Sequence, residues 1–130
     1  MLSTKKLLYK ILGLLTPQVY TGYTFHAYIS TDPAISHVYV WGKLCIYSIA
    51  MTYSSNHTPQ DTQVFISGMP KPAQAIYQIG TTASTDTTDA TKNRSFRYRI
   101  NDDGEIQNWY SSIKTYANQV TIFSGVYVIK

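Results

Sequence analysis

Residues 96 to 110 read Phe-Arg-Tyr-Arg-Ile-Asn-Asp-Asp-Gly-Glu-Ile-Gln-Asn-Trp-Tyr, and no other stretch restricts the fold as strongly. Phe96, Tyr98 and Ile100 alternate with Arg97 and Arg99, Asn101-Asp102-Asp103-Gly104 then turns the chain, and Glu105 to Trp109 alternates again. A period of two puts the aromatic and aliphatic side chains on one face of a strand and the arginines on the other, while Asp-Gly supplies the positive-φ conformers of a tight turn. The stretch predicts a β-hairpin. Its two unlike faces require a sheet that is packed on one side and wet on the other.

The chain from Val19 onward agrees. Tyr23, Phe25, Ala27 and Ile29 alternate with Thr24, His26 and Tyr28, which predicts a half-buried strand ending at Ser30-Thr31-Asp32-Pro33. His37 to Trp41 predicts a short strand, Gly42-Lys43 a tight connection, and Leu44 to Tyr53 a long strand with Cys45, Ile49 and Met51 on one face. Ser54 to Asp61 reads as a polar loop. Val64 to Ile66 and Ile76 to Ile79 are short strands. Between them, Ser67-Gly68-Met69-Pro70-Lys71-Pro72 is irregular because proline cannot donate to a ladder. Gly80 to Asn93 lacks large apolar anchors and predicts a surface loop. Tyr116 and Val120 to Ile129 give the closing strand, with Gly125 marking a bulge or a close backbone approach. Short strands between turn signals, with no second helix for a crossover, predict a mainly β fold. The class is an antiparallel β-sandwich or jelly roll preceded by a short N-terminal amphipathic helix.

That helix is expected over residues 2 to 15, where Leu7, Leu8, Ile11, Leu12, Leu14 and Leu15 recur at three- and four-residue steps and form two overlapping seams. Ser3 is the expected N-cap, and Thr16-Pro17 the stop, because a proline disfavours the helical conformation in the residue before it. Lysines in the first turn oppose the helix dipole, and about thirteen residues is marginal for a lone helix, so this one needs a partner. A signal peptide is the rival reading, but Lys10 interrupts the apolar run and no small-residue cleavage site follows. The segment is too short to span a bilayer, and membrane insertion is not expected.

Twelve tyrosines stand out among 130 residues; they suit either a half-buried sheet or a contact surface. The net charge of +4 is concentrated at the start, since Lys5, Lys6 and Lys10 leave eight basic against seven acidic residues in the remainder. Arg94, Arg97 and Arg99 read as a solvent face, and nucleic acid is not an expected partner. Cys45 stands alone in an apolar run, so no intrachain disulfide can form and it reads as a small buried hydrophobe.

No residue pattern points to catalysis. His26, His37 and His57 are widely spaced and lack metal-ligand partners at finger or His-Glu-x-x-His spacing. Asp32, Asp61, Asp86 and Asp89 fall in loops, and Asp102 and Asp103 in the hairpin turn, where aspartate stabilises backbone turns. There is no Gly-x-Ser-x-Gly elbow and no phosphate-binding glycine loop. The expectation is a non-enzyme with no metal and no cofactor. Binding remains: Trp109 and Tyr110 can form a stacking platform for a sugar ring, with Asn108, Asp102 and Asp103 supplying hydrogen bonds. The same two aromatics can instead pack in the core or against a neighbouring subunit.

The leucine-rich N-terminal helix, the Met-Pro-Lys-Pro segment at 69–72, Arg-Ile-Asn-Asp-Asp-Gly-Glu-Ile at 99–106 and the closing Gly-Val-Tyr-Val-Ile resemble the head domain of phage and prophage tail-fibre or receptor-binding proteins. The resemblance implies an oligomerisation helix over 1–16 and a β-sandwich head domain over 17–130. It implies a homotrimer with the helices bundled at the three-fold axis, displayed on the virion surface after assembly in the bacterial host cytoplasm. The partners it implies are further copies of the chain, other virion proteins and a host cell-surface saccharide. It transfers no site residues. The alternative is a monomeric carbohydrate-binding or host-interaction β-sandwich module, with the helix folded back on its own sheet.

Overall fold

Directly paired residues on antiparallel strands project from the same face, so each alternating stretch of this sequence commits its neighbour's parity as well as its own. In the computed structural model, which describes residues 3–26, 29–30, 36–53, 56, 58–83, 93–111 and 119–130, that logic runs through every pairing. Helix α1 (Thr4–Leu15) precedes β1 (Gln18–Val19), β2 (Thr24–Phe25), β3 (Ile29–Ser30), β4 (His37–Trp41), β5 (Leu44–Tyr53), β6 (Val64–Ser67), β7 (Ile76–Ala83), β8 (Arg94–Ile100), β9 (Ile106–Asn108) and β10 (Val120–Val128). All strands pair antiparallel in the order β1-β4-β5-β10-β7-β8-β9-β6-β2, with β3 added on β5. The fold is mainly antiparallel β with one short N-terminal helix, as the hairpin and the alternation predict.

The two layers are halves of one curled sheet. β1 and β2 lie at opposite ends of the strand order, yet only residues 20–23 separate them in the chain. Five Cα steps reach at most ~17 Å, so the two edges must come together. Tyr20 joins them: its N–H donates to Val38 O on β4 at 2.8 Å, and its hydroxyl donates to Gly68 O, just beyond β6, at 2.5 Å. Inside the curl, Phe65 on β6 meets Tyr53 on β5 (ring centroids 6.5 Å apart) and Phe123 on β10 (5.7 Å), strands that are not its neighbours in the sheet. Cys45, Tyr47, Ile49, Met51 and Tyr53 line one face of β5, and Phe96, Tyr98 and Ile100 do the same on β8.

Several expectations are refined. α1 begins at Thr4, with Ser3 Oγ accepting from Lys6 N at 3.2 Å as its N-cap. The strand predicted over Tyr23 to Ile29 is replaced by two pieces that serve different neighbours, β2 on β6 and β3 on β5; Ala27 and Tyr28 lie outside the described residues. The loop predicted from Gly80 does not start there. β7 continues to Ala83 because backbone pairing on both sides, Thr82 with Arg94 and with Thr121, supplies the anchor that its small side chains do not. Residues 84–92, with Asp86 and Asp89, lie outside the described residues, as do Asp32, His57 and Tyr116. Gly125 makes no bulge, since it pairs in register with Tyr47; a Cβ there would sit 2.7 Å from the Tyr47 hydroxyl, so the glycine admits a close approach.

The Met69 segment and the hairpin turn are packed together. Met69 N donates to Gly104 O at 3.0 Å, and Gly104 has φ +80°, with the space for a Cβ occupied by Met69 O. Only glycine meets both conditions.

Tyrosine hydroxyls are carried into the core as a satisfied network. Tyr47 donates to Tyr98 at 2.8 Å, Tyr98 donates to Ser124 O at 3.3 Å, and Tyr127 donates to Pro70 O at 2.7 Å. Burial pushes the pKa of all three above the ordinary tyrosine value, with the Tyr98 bond a further cause at Tyr47 and the Cys45 thiol at Tyr127. Below about pH 10 these groups are neutral in the folded and the unfolded chain. Above it the unfolded chain loses protons that the fold retains, so stability falls as pH rises, by up to about 1.4 kcal/mol per pH unit for each tyrosine. Urea unfolding across alkaline pH should show this decline; a stability that stays level there would contradict the buried network.

Candidate functional site

The wet face of the hairpin is built by parity. β7, β8 and β9 place Tyr77, Arg99 and Gln107 side by side in one row, and Ile79 beside Arg97 in the next. Trp109 follows β9, and its N–H donates to Arg97 O at 3.1 Å, which sets the indole on the same outer face. Gln107 is the anchor. Its Nε2 donates to Thr62 O at 3.0 Å, and its Oε1 accepts from Arg99 Nε (2.8 Å) and Nη2 (2.5 Å). Thus fixed, the Arg99 guanidinium lies 3.9 Å from the centre of the Trp109 ring, a cation–π contact. Tyr77 and Tyr110 meet the same indole edge-on, at 5.4 and 4.8 Å.

Tyr110 is held by strain as well as by contact. Its φ is +49°, and Arg97 Nη2 donates to its carbonyl at 2.6 Å. Thr62, whose carbonyl anchors Gln107, has φ +59°. These are the two non-glycine residues with positive φ among the described residues, and both bond into this one cluster. Such conformations cost about 1–3 kcal/mol each and persist where the surroundings over-determine them, often at ligand clamps. The cluster borders a cleft of about 220 Å³ lined by Tyr77, Gln78, Ile79, Arg97, Tyr98 and Trp109. Among the described residues, the side-chain hydrogen bonds of Arg97 and Arg99 go to neutral acceptors, while the Glu105 carboxylate accepts from Asn101 Nδ2 at 3.0 Å in the adjoining row.

The sequence-predicted site residues divide. Trp109 is half-buried and Tyr110 is 53% exposed; neither joins the core, and both stand on the outer face. Asn108 does not reach that face. It is fully buried on the opposite side of β9, and its Nδ2 donates to Gln60 O at 2.9 Å and Ser111 O at 3.0 Å, tying two loops to the sheet. Asp102 and Asp103 are exposed at the hairpin tip, about 15 Å of strand away from the indole. The tip itself is organised by Asn101, whose Oδ1 accepts from Asp103 N and Glu105 N, each at 3.0 Å, and not by the aspartate carboxylates. Tyr77, Arg97, Arg99 and Gln107 are the members that sequence reasoning did not assemble, and only the Arg97/Arg99 alternation hinted at them.

α1 is bare. Leu7, Leu8, Ile11 and Leu12 are 44–53% exposed, and among the described residues α1 makes no extended packing on any strand; the Leu14 and Leu15 side chains lie outside the described residues. A larger cleft of about 430 Å³ lies beside the segment that joins β1 to β2. Ser36 in its wall is already committed to the backbone of Ala50, donating to its O at 2.9 Å and accepting from its N at 3.1 Å. Among the described residues no three His, Cys, Asp or Glu side chains converge, and His26 Nε2 bonds Ser67 Oγ at 3.1 Å. No helix among those residues is long and apolar enough to cross a membrane.

No protein-family model matches the chain, and no curated protein or solved structure is significantly similar to it.

Asn108→Ala removes both donors that hold the Gln60 and Ser111 loops, and should lower unfolding stability by about 1–3 kcal/mol. Thermal or urea unfolding measures this; a change within about 0.5 kcal/mol would place the anchor elsewhere.

Proposed function

We propose that this chain is a self-associating, non-catalytic structural and adsorption protein of the phage virion type, which presents the Trp109 face to a host cell-surface saccharide. The observation that carries the reading is the preformed aromatic cluster of Tyr77, Trp109 and Tyr110 on the outside of a rigid hairpin. Pyranose rings bind by laying their C–H faces on aromatic rings while hydroxyls bond to neighbouring polar groups, and a preformed cluster loses little entropy on binding. Arg97 in the cleft wall is the polar side chain on this face. A cleft of about 220 Å³ suits a single ring rather than a long chain.

Oligomerisation rests on α1. Large apolar side chains spaced along a helix and left in water are costly, and a second copy of the chain relieves that cost. A homotrimer on the virion surface, contacting other virion proteins, is the assembly that the resemblance to tail-fibre heads supplies. A monomeric carbohydrate-binding module would share the aromatic face but would leave the α1 stripe uncovered.

Glycan-array binding of the full chain and of Trp109→Ala tests the site. The wild type should bind a subset of saccharides and the variant should lose at least about tenfold in affinity, a loss of roughly 1.4 kcal/mol or more, with an unchanged circular dichroism spectrum. Equal binding by the two proteins, or no glycan bound by the wild type, would overturn the saccharide reading.

A further inference from the structure

The outer face of the sheet at its β1 end carries an apolar patch. Val19, Tyr39, Ile46 and Val126 are paired directly across β1, β4, β5 and β10, so their side chains form one row on the solvent side. Trp41, Leu44 and Val128 form the next row on the same face. Val19 is 69% exposed, and Val126 and Val128 are each more than half exposed. The row His37, Ser48, Ser124 bounds the patch on its far side. Contiguous apolar surface of this kind marks an interaction site, whereas scattered single residues do not.

We propose that this patch is the docking site for α1 of a neighbouring copy of the same chain. The inference rests on the self-association proposed above and names where the helix goes. Two uncovered apolar surfaces occur in one molecule, and they match in size. The patch spans four strands, about 14 Å across, and the twelve residues of α1 extend about 18 Å. Leu7, Ile11, Leu8 and Leu12 occupy one side of α1, while Lys6 and Lys10 point away from it. Two copies that exchange helices reciprocally make two such dockings within one interface, whereas in a ring each pair of neighbours shares one.

The hinge between α1 and β1 is short and conformationally constrained. Thr16 is extended (φ −106°, ψ 115°), Pro17 follows, and β1 begins at Gln18. Thr16 thus stays out of the helical region, which a following proline disfavours. Thr16 Oγ1 donates to Leu12 O at 2.8 Å and Gln18 Nε2 donates to Thr16 O at 3.3 Å, which hold the hinge in this conformation. A helix on a short, constrained hinge and without extended packing on its own sheet among the described residues is the arrangement that element exchange between copies exploits.

Full-length Leu8→Cys and Val126→Cys chains, co-refolded as a mixture and oxidised, test the contact. The expected product is a disulfide joining one variant to the other, while wild-type chains, whose Cys45 is buried, remain unlinked. Links only between two Leu8→Cys chains would overturn the docking and leave self-association through helix bundling. No links and a monomer in sedimentation equilibrium would overturn both. A Val126→Lys chain keeps the inner face intact and should associate at least about tenfold more weakly; unchanged association would also overturn the docking.

Discussion

Everything in this fold depends on the closure made by residues 20–23. An antiparallel sheet of this many strands with one apolar face cannot remain open in water, because its inner side chains would face solvent and its edge strands would offer unpaired backbone groups. Here the chain leaves β1 at one end of the strand order and enters β2 at the other, so a covalent link spans the two edges. Tyr20 adds a hydrogen bond to each side of the seam. The curled sheet then encloses one cluster, in which Phe65, Phe96, Tyr98 and Phe123 pack edge-on or tilted to one another.

Closure also determines what is left outside. With the apolar parity of β5, β8 and β10 used inward, the outer face collects the remainder: arginines and aromatics on β7 to β9, and an apolar block on β1, β4, β5 and β10. The first is held by a chain of bonds from Thr62 through Gln107 and Arg99 to the Trp109 ring, with strained Thr62 at one end and strained Tyr110 against the indole at the other. The second is apolar, solvent-exposed and without a cover among the described residues. One region is organised like a ligand site and the other like a protein interface, which is why each receives a different proposed role.

Much of this was legible in the alternation. β4 and β5 have the limits that the sequence predicts, and the hairpin of β8 and β9 has its turn where Asp-Gly places it. Strand parity even put Trp109 on the arginine face, because Ile106 and Asn108 point inward; the general tendency of aromatics to be buried obscured that reading. Other features have no local signal. β1 is two residues long and exists only because β4 is beside it, and β7 outlasts its apolar residues because it is paired on both sides. Asn108 carries the same polar side chain as a sugar-binding asparagine, and only burial reveals its structural task. The cleft beside Tyr20 arises from closure and has no sequence pattern of its own.

The closure is tested most directly by native-state amide exchange in wild type and Tyr20→Phe. Loss of one hydroxyl bond at the seam removes about 1 kcal/mol, roughly a fivefold drop in protection. If the seam joins the two edges into one unit, protection at the β1–β4 pairing and at the β2–β6 pairing should fall together and by similar factors. Protection that falls at one edge alone, or at neither, would show that the edges open independently and that residues 20–23 do not hold the sheet closed.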